Sequence, residues 1–460
     1  MTMKDKKKEK APKRYEIDML EGPLAGKILA FALPLAATSV LQQMFNMADT
    51  AIVGRFAGPE AMAAVGSNTP LINLIISLFV GMATGANVVI ARLIGRREYD
   101  RIGSAVHTII TLAIISGVFL QILGFILSKP LLEMVGVPED ILPLAMLYFR
   151  ILFLGAPLML LYNFGAAILR SRGDSKRPLY ALTFSGVINV LLNMLLVIVF
   201  HLSVAGVAIA TVVFNLVTTV IILIILAKEE APYTLSLRKL RVDTGILKDV
   251  LFIGIPAGLQ GMVFSIANTT IQSAINGLGS AYMAGNAASV SFDGLSYYVM
   301  NAFSQAAATF VSQNYGGRKP DRCKKVFWIT MGMAVLSSTV LNILFVVFGH
   351  PLLSLFTVSE EVIRIGMIRM THVLIFQTLV CTYELGAANM RGLGYSLTPT
   401  LLIVFGTCIL RILWVLYVFP QYGTYEMLVI VFPISWVVTG AMVLGAYFIV
   451  RRKAFAKIAA

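Results

Sequence analysis

Charge is what this chain has least of. Asp, Glu, Lys and Arg make up 13% of its 460 residues, about half the share found in ordinary soluble domains. Together with 58% hydrophobic residues, that shortage excludes a water-soluble fold, which has no means of hiding so much apolar surface. Cysteine is also sparse: Cys323, Cys381 and Cys408 stand far apart, two of them inside apolar runs, so neither a disulfide framework nor a zinc site is implied. His107, His201 and His372 are too scattered to hold a metal. A phosphate loop, a paired-histidine motif and a nucleophile with an evident base are all missing, which argues against an enzyme and against ATP as the energy source.

Acids are the scarcer charge, 23 against 37 Lys and Arg, for a formal net charge of +14. The basic residues sit in short clusters between apolar segments and not along one face, so they read as membrane topology and not as a nucleic-acid site. The solvent is the lipid bilayer. Apolar segments fall near 27–54, 60–92, 102–128, 138–170, 177–200, 203–228, 248–276, 281–315, 323–349, 359–391, 396–419 and 424–451. Each is long enough to cross the hydrocarbon core, which takes about 20 helical residues. The second carries Pro70, Gly81 and Gly85 and is expected to bend or to project from the bilayer. The first has no small-residue cleavage site and is expected to remain as a helix.

Basic clusters follow every second segment. Arg92, Arg96, Arg97 and Arg101 follow the second, Arg170, Arg172, Lys176 and Arg177 the fourth, and Arg318, Lys319, Arg322, Lys324 and Lys325 the eighth. The alternate loops carry few, so both termini are expected in the cytoplasm of a cell whose inner, plasma membrane holds the protein. Lys4, Lys6, Lys7, Lys8, Lys10, Lys13 and Arg14 form a basic tail expected to favour anionic lipid.

Laid on itself with a shift of about 221 residues, the chain repeats. Pro34 and Asn46 fall on Pro256 and Asn268; Gly58 falls on Gly279, and Asp100-Arg101 on Asp321-Arg322. Tyr162, Gly165, Ala166, Ala167, Arg170, Gly173 and Pro178 fall on Tyr383, Gly386, Ala387, Ala388, Arg391, Gly394 and Pro399. Six segments per unit is an even number, so the halves enter the membrane in the same sense and form parallel repeats, the geometry of alternating access. The expected organisation is a basic tail over 1–26, six-helix bundles over 27–228 and 248–460, and a linker over 229–247. The fold class is all-α: an integral membrane protein of twelve transmembrane helices in two parallel six-helix repeats around a central cavity.

The first segment reads Gln42-Gln43-Met44-Phe45-Asn46-Met47-Ala48-Asp49-Thr50-Ala51-Ile52-Val53-Gly54. Further on come Gly81 to Ala86, Gly95-Arg96-Arg97, Arg170 to Pro178, Ser304-Gln305-Ala306-Ala307, Gln313 to Gly316, and Arg391-Gly392-Leu393-Gly394. This ordered set, spanning nearly the whole chain, resembles the multidrug and toxic compound extrusion (MATE) family, and within it the DinF-like bacterial branch. The resemblance implies a secondary transporter that uses an inward proton or sodium gradient to expel varied organic compounds, often cationic and aromatic. In the family's pattern Asp49 is the coupling aspartate, and a motif of the fifth helix supplies an asparagine and, four residues later, an aspartate. Here those places read Asn189 and Asn193, so a second carboxylate is missing from that site.

Carboxylates inside a bilayer cost about 2.5–3.5 kcal/mol on insertion scales and call for a partner or a task. Asp49 shares a helical face with Gln42 and Asn46, and a cation-coupling site of Asp49, Asn46, Asn189 and Asn193 is expected; a plain helix-end aspartate is the alternative. Gln43, Gln260, Asn268, Asp293, Tyr298 and Glu384 are the expected substrate-binding residues. For Asp293, beside Phe292, Tyr297 and Tyr298, the chemistry is a flat cation held by aromatic faces. Glu384 has two open readings, a binding acid or a structural ion pair with Arg411 or Arg369. Arg150 is expected to be a paired structural residue. No cofactor is expected beyond a coupling proton or sodium ion. The expected partners are small organic substrates and lipid, with the chain acting as a monomer. The rival is a flippase of lipid-linked precursors, which requires Arg150, Arg369 and Arg411 to line one cavity.

Overall fold

The computed structural model describes residues 15–459; the basic residues from Lys4 to Arg14 lie outside them. The spans are α1 (Leu24–Phe56), α2 (Pro59–Arg96), α3 (Tyr99–Met134), α4 (Leu142–Leu154 and Ala156–Ser171), α5 (Lys176–Val199) and α6 (Ser203–Ala227). They continue as α7 (Thr244–Asn276), α8 (Ser280–Gly316), α9 (Pro320–Val347), α10 (Glu360–Gly392), α11 (Leu397–Tyr422) and α12 (Tyr425–Ile458). Among the described residues, ten of these are single spans apolar enough to cross a membrane, and the two arms of α4, bent by 46°, make an eleventh. α8 is the twelfth. It is 37 residues long but less apolar, because protein and not lipid surrounds it: Ala306 to Gly316 are buried without a break.

The duplication is visible in the backbone. Gly58 and Gly279 take left-handed φ of 91° and 115° at the turns leading into α2 and α8, and Gly173 and Gly394 take 89° and 93° after α4 and α10. Side-chain bonds repeat as well. Asn68 Nδ2 donates to the Ala145 carbonyl at 3.2 Å, and Ser289 Oγ, its counterpart, donates to the Gly366 carbonyl at 2.9 Å. Pro34 and Pro256 occupy equivalent places in α1 and α7, where each removes one helical hydrogen bond. The bend of α4 at Gly155 has its equivalent in the 3-10 stretch Leu374–Leu379 of α10.

Each half has its own apolar core. In the first, Phe149 stacks on Phe153 with ring centroids 4.3 Å apart; in the second, Phe327 stacks on Tyr447 at 4.2 Å. Apolar side chains cross the seam as well, Ile246, Val250 and Ile253 joining the first core and Leu24, Ile28 and Phe31 the second, and its closest approach is at glycine. α2 and α7 meet where a Cβ on Gly81 would lie 2.2 Å from the Gly258 nitrogen, and one on Gly85 2.5 Å from the Val250 carbonyl. These glycines therefore serve close approach, and α2 runs as one helix of 38 residues from Pro59 to Arg96, through Pro70.

The seam is tight toward the face that carries both ends of the described chain, here termed the basal face. There α2 and α8 cross backbone to backbone, and one pair of bonds obeys the pseudo-twofold: Gln313 Nε2 donates to the Ser171 carbonyl at 2.6 Å, and Arg92 Nη2 to the Gly392 carbonyl at 3.3 Å. Toward the opposite face the helices part. A Cβ on Gly66 of α2 would meet nothing within 4 Å, and Asn46 on α1 and Asn268 on α7 are exposed.

A strap precedes α1 and lies across the basal seam. Glu16 pairs with Arg172 of the first half. Three residues on, the Met19 carbonyl accepts from Asn314 at 3.0 Å and from Arg322 at 3.2 Å, and the Leu20 carbonyl accepts from Lys319 at 3.0 Å, all in the second half. The Met19 side chain is fully buried. Arg172 also pairs with Glu229 at 3.0 Å, and Glu229 with Arg177 at 2.5 Å, so the strap joins an ion network that includes the linker. Asp174, fully buried beside Arg177, has its carboxyl raised above the ordinary range by loss of water, which outweighs the opposing pull of that guanidinium. His107 pins the linker: its Nε2 accepts from the Ser236 amide at 3.2 Å, which leaves the proton on Nδ1 for the Gly103 carbonyl at 2.6 Å.

Candidate functional site

α1 stands between α5 of its own half and α8 of the other, and its polar residues face both. Asp49 accepts a hydrogen bond from Asn193 Nδ2, and the same amide lies 3.4 Å from Asn189 Oδ1. Asn189 and Asn193 are buried, while Asp49 is half-buried and Asn46 exposed. Asn193 Oδ1 is buried without a donor among the described residues. α5 changes from α to π geometry at Leu195, two residues after Asn193, the kind of local distortion that often accompanies a functional position. Close packing fixes α1 here, since Gly186 of α5 leaves room for the Phe45 ring. Of the four residues expected at a coupling site, Asp49 and Asn189 are joined through Asn193. Asn46 lies on the exposed side, one turn away.

Gln43, a turn and a half earlier on α1, accepts from Tyr298 of α8 at 3.0 Å. This bond crosses the seam. A second polar crossing runs from Arg170 of α4 to Gln305 of α8 at 2.8 Å, and on from Gln305 to Asn301 at 2.8 Å. Asn87 of α2 and Thr309 of α8 add a third at 2.9 Å.

The second half carries the denser network. Arg369 of α10 donates from Nε and Nη2 to Asp293 Oδ2 of α8, at 3.1 and 2.6 Å, and from Nη1 to Asn286 Oδ1 at 3.0 Å. Asn286 Oδ1 also accepts from the Tyr425 hydroxyl at 3.1 Å, and its amide donates to Gln272 at 3.0 Å. Asp293 is thus already paired through one oxygen, and the other is buried without a partner among the described residues. Glu384, 7% exposed, is paired with neither Arg411 nor Arg369, the two ion pairs left open by sequence. The charge opposing it is Arg391, whose Nη2 donates to Gln260 at 2.6 Å. Position along the helix separates them: Arg369 and Glu384 stand fifteen residues apart on α10, whereas Glu384 and Arg391, seven residues apart, share one face.

Arg411 of α11 bonds Ser435 at 3.1 Å and Asn268 at 3.2 Å. Arg150 bonds Ser128 at 2.9 Å and covers the Phe125 ring at 4.9 Å, well away from the other arginines. The three arginines do not line one cavity. Sequence reading missed Asn286, Arg391 and Ser435 as site residues, and also Gln377, whose amide donates to the Asp293 carbonyl at 2.9 Å; a polar residue on a span next to an acid or arginine was the available signal, and Arg391 already stood out as the repeat partner of Arg170.

Two pseudosymmetric six-helix bundles, each with a polar cluster inside the membrane, closed at one face and parted at the other, define a multi-pass membrane transporter. Comparison with known proteins makes the family explicit. The MatE family model matches residues 34–195 and, again, 256–416, once in each half. The chain is 32% identical over 438 residues to the probable multidrug resistance protein YoeA of Bacillus subtilis, covering 92% of this chain and 93% of that one. It is 28% identical over 353 residues to an FAD transporter of Shewanella oneidensis, covering 75% and 77%. A crystal structure of MATE in the bent conformation superposes with a TM-score of 0.88 at 23% identity, covering 96% of this chain and 98% of that one. This chain belongs to the MATE family of efflux transporters and is not an enzyme.

Proposed function

We propose that the protein is a secondary antiporter that exports organic compounds, aromatic and cationic, in exchange for protons or sodium ions. The observation that carries this reading is the bond from Asn193 to Asp49. Asp49 is the only carboxylate of the first bundle, among the described residues, that stands well inside a span. Its partners are neutral amides that neither donate nor take up a proton. A proton or sodium ion arriving at Asp49 therefore displaces or weakens the Asn193 bond and changes how α1 is held against α5. α1 also carries Pro34 and, at Gln43, a bond to Tyr298 in the other half, so a change at Asp49 is felt at the seam.

With the basic loops on the basal face, the positive-inside rule puts that face and both termini in the cytoplasm. The conformation described is then open outward in a plasma membrane. The aromatic groups of the cleft, Tyr297 and Tyr298, and the name of the Shewanella relative, an FAD transporter, both favour a substrate with a flat ring system. A lipid-linked precursor flippase is the second reading, and the isolation of Arg150 from Arg369 and Arg411 removes its main support.

Proteoliposomes loaded with a fluorescent aromatic cation and given an opposing proton or sodium gradient should lose the dye, and Asp49→Asn should abolish the response to the gradient. Gradient-driven efflux by Asp49→Asn at the wild-type rate would refute the coupling role.

A further inference from the structure

Arg411 is the largest side chain buried to less than 2% exposure in the protein, at 1%, and no carboxylate lies within ion-pairing reach of it among the described residues. Its hydrogen bonds go to two neutral acceptors, Ser435 Oγ at 3.1 Å and Asn268 Oδ1 at 3.2 Å, and Nη2 is buried without an acceptor. The guanidinium lies over two aromatic faces, Phe432 at 4.4 Å and Phe264 at 5.2 Å. Arg369 lies over the same Phe432 ring at 4.8 Å, but it has a counterion in Asp293 at 2.6 Å. A buried guanidinium without a counterion is costly, since aromatic faces and neutral oxygens offset only part of the lost hydration.

The fold does not require this charge. Val190 holds the equivalent place in α5 of the first half. Local backbone is arranged for it instead: Arg411 sits in one α-helical turn, Leu410–Leu413, between π-helical stretches over Val404–Ile409 and Trp414–Val418. The route to it is Asn268, exposed on α7 and holding Arg411 Nη1 through its amide oxygen. Asn46 is the repeat counterpart of Asn268, and Asp49 follows it one turn on along α1. The two walls of the cleft thus carry opposite charges, an acid in the first half and an uncompensated base in the second.

We infer that Arg411, reached through Asn268, is the binding site for an anionic oxygen group, a carboxylate or phosphate, borne by the exported compound. The guanidinium offers Nη1 and Nη2 to such a group once Asn268 swings aside, and Phe264 and Phe432 hold the plane of the fork. The substrates are then amphoteric or anionic aromatics as well as cations. This rests on the export reading above, and it places substrate charge in the second half and the coupling ion in the first.

The test uses a rhodamine with a free carboxyl group and its methyl ester, two probes with one ring system and one difference in charge. Binding to the detergent-solubilised full chain is read by fluorescence anisotropy, which needs no ion gradient. The carboxyl probe should bind more tightly than the ester, and Arg411→Gln should reduce the ratio of the two affinities about tenfold or more, as expected for loss of a charge-assisted bond. Asn268→Asp, which supplies Arg411 with a counterion from within the protein, should reduce the same ratio. Inorganic phosphate should compete with the carboxyl probe in the wild type.

Equal affinity for the two probes in the wild type would overturn the proposal. So would an equal loss of both in Arg411→Gln and in Asn268→Asp, which marks a structural arginine. Protection of the wild type against thermal unfolding by phosphate, with no preference for the carboxyl probe, would assign the site to a free anion and also overturn it. Intact discrimination in binding with no gradient-driven efflux would leave the site standing and defeat the antiport reading alone.

Discussion

Alanine at Gly95 or Gly316 tests whether the basal seam closes by direct backbone contact. A Cβ on Gly95 of α2 would stand 2.0 Å from the Gln313 carbonyl oxygen of α8, and one on Gly316 would stand 2.3 Å from that of Arg92. An ordinary carbon-to-oxygen contact of this kind is about 3.3–3.6 Å. The helices must therefore part by about an ångström, because the obstructing atoms are backbone and have no rotamer to escape into. Overpacking by a methyl group costs about 1–3 kcal/mol. The contact exists only while the basal ends are together, so the penalty falls on that state alone and shifts the equilibrium toward basal opening by about 5- to 150-fold. The two positions are equivalent under the pseudo-twofold and part the same pair of helices, so the double variant should shift the equilibrium by less than the sum. Spin labels at Tyr99→Cys on α3 and Lys324→Cys on α9, both exposed, report the basal separation by double electron–electron resonance. A longer-distance population should grow in both glycine variants and not in Gly332→Ala, where an added Cβ meets nothing within 4 Å. An unchanged distance distribution in Gly95→Ala and Gly316→Ala would refute the reasoning, as would an equal change in Gly332→Ala.

Three other outcomes follow from named contacts. Asp293→Ala and Arg369→Ala should each cost about 3–5 kcal/mol of stability, since each leaves a buried partner charged and alone; replacing both with apolar residues should cost less, read by thermal unfolding in detergent. A double loss equal to the sum of the two single losses would mean the pair carries no coupling energy. Met19→Cys should be shielded from a membrane-impermeant maleimide by the packing of the strap, and adding Arg322→Ala, which removes one of the two donors to the Met19 carbonyl, should speed labelling several-fold; identical rates would show that the strap is not held by that arginine. Ser128→Ala should lower stability by about 1–3 kcal/mol by leaving Arg150 Nε without its bond, and a loss below about 0.5 kcal/mol would show that water or lipid headgroups replace it.

Much of the frame was legible in the chain. The segment expected over 203–228 is the helix Ser203–Ala227, and that expected over 281–315 is Ser280–Gly316. Even the turns were recoverable, because a left-handed backbone demands glycine and the repeat puts Gly58 and Gly279, Gly173 and Gly394 in register. What sequence left open was which physical role a residue serves. Gly81 and Gly85, read with Pro70 as signs that the second segment bends or projects, are where α7 passes close by. Nothing in a single strand of sequence tells a glycine that yields from one that makes room, since the difference lies in what stands opposite.

The polar site divides along the same line. That Asp49, Asp293, Glu384, Arg369 and Arg411 lie within spans follows from hydropathy and spacing alone, because the cost of a charge in hydrocarbon depends on depth and depth follows from chain length. Which of them meet does not. Asp49 finds Asn193 across 144 positions, and Arg369 finds Asp293 across 76; Glu384, on the same helix as Arg369, has Arg391 as its opposing charge. Partnership is set by how each helix is rotated about its own axis and by which helix packs beside it, and both are decided by the summed contacts of many apolar side chains and glycines. Sequence by itself determined the twelve spans, the duplication and the inventory of buried charge. Only the tertiary structure decided that one arginine is paired, that another is left with neutral oxygens and aromatic faces, and that the seam is shut at the basal face.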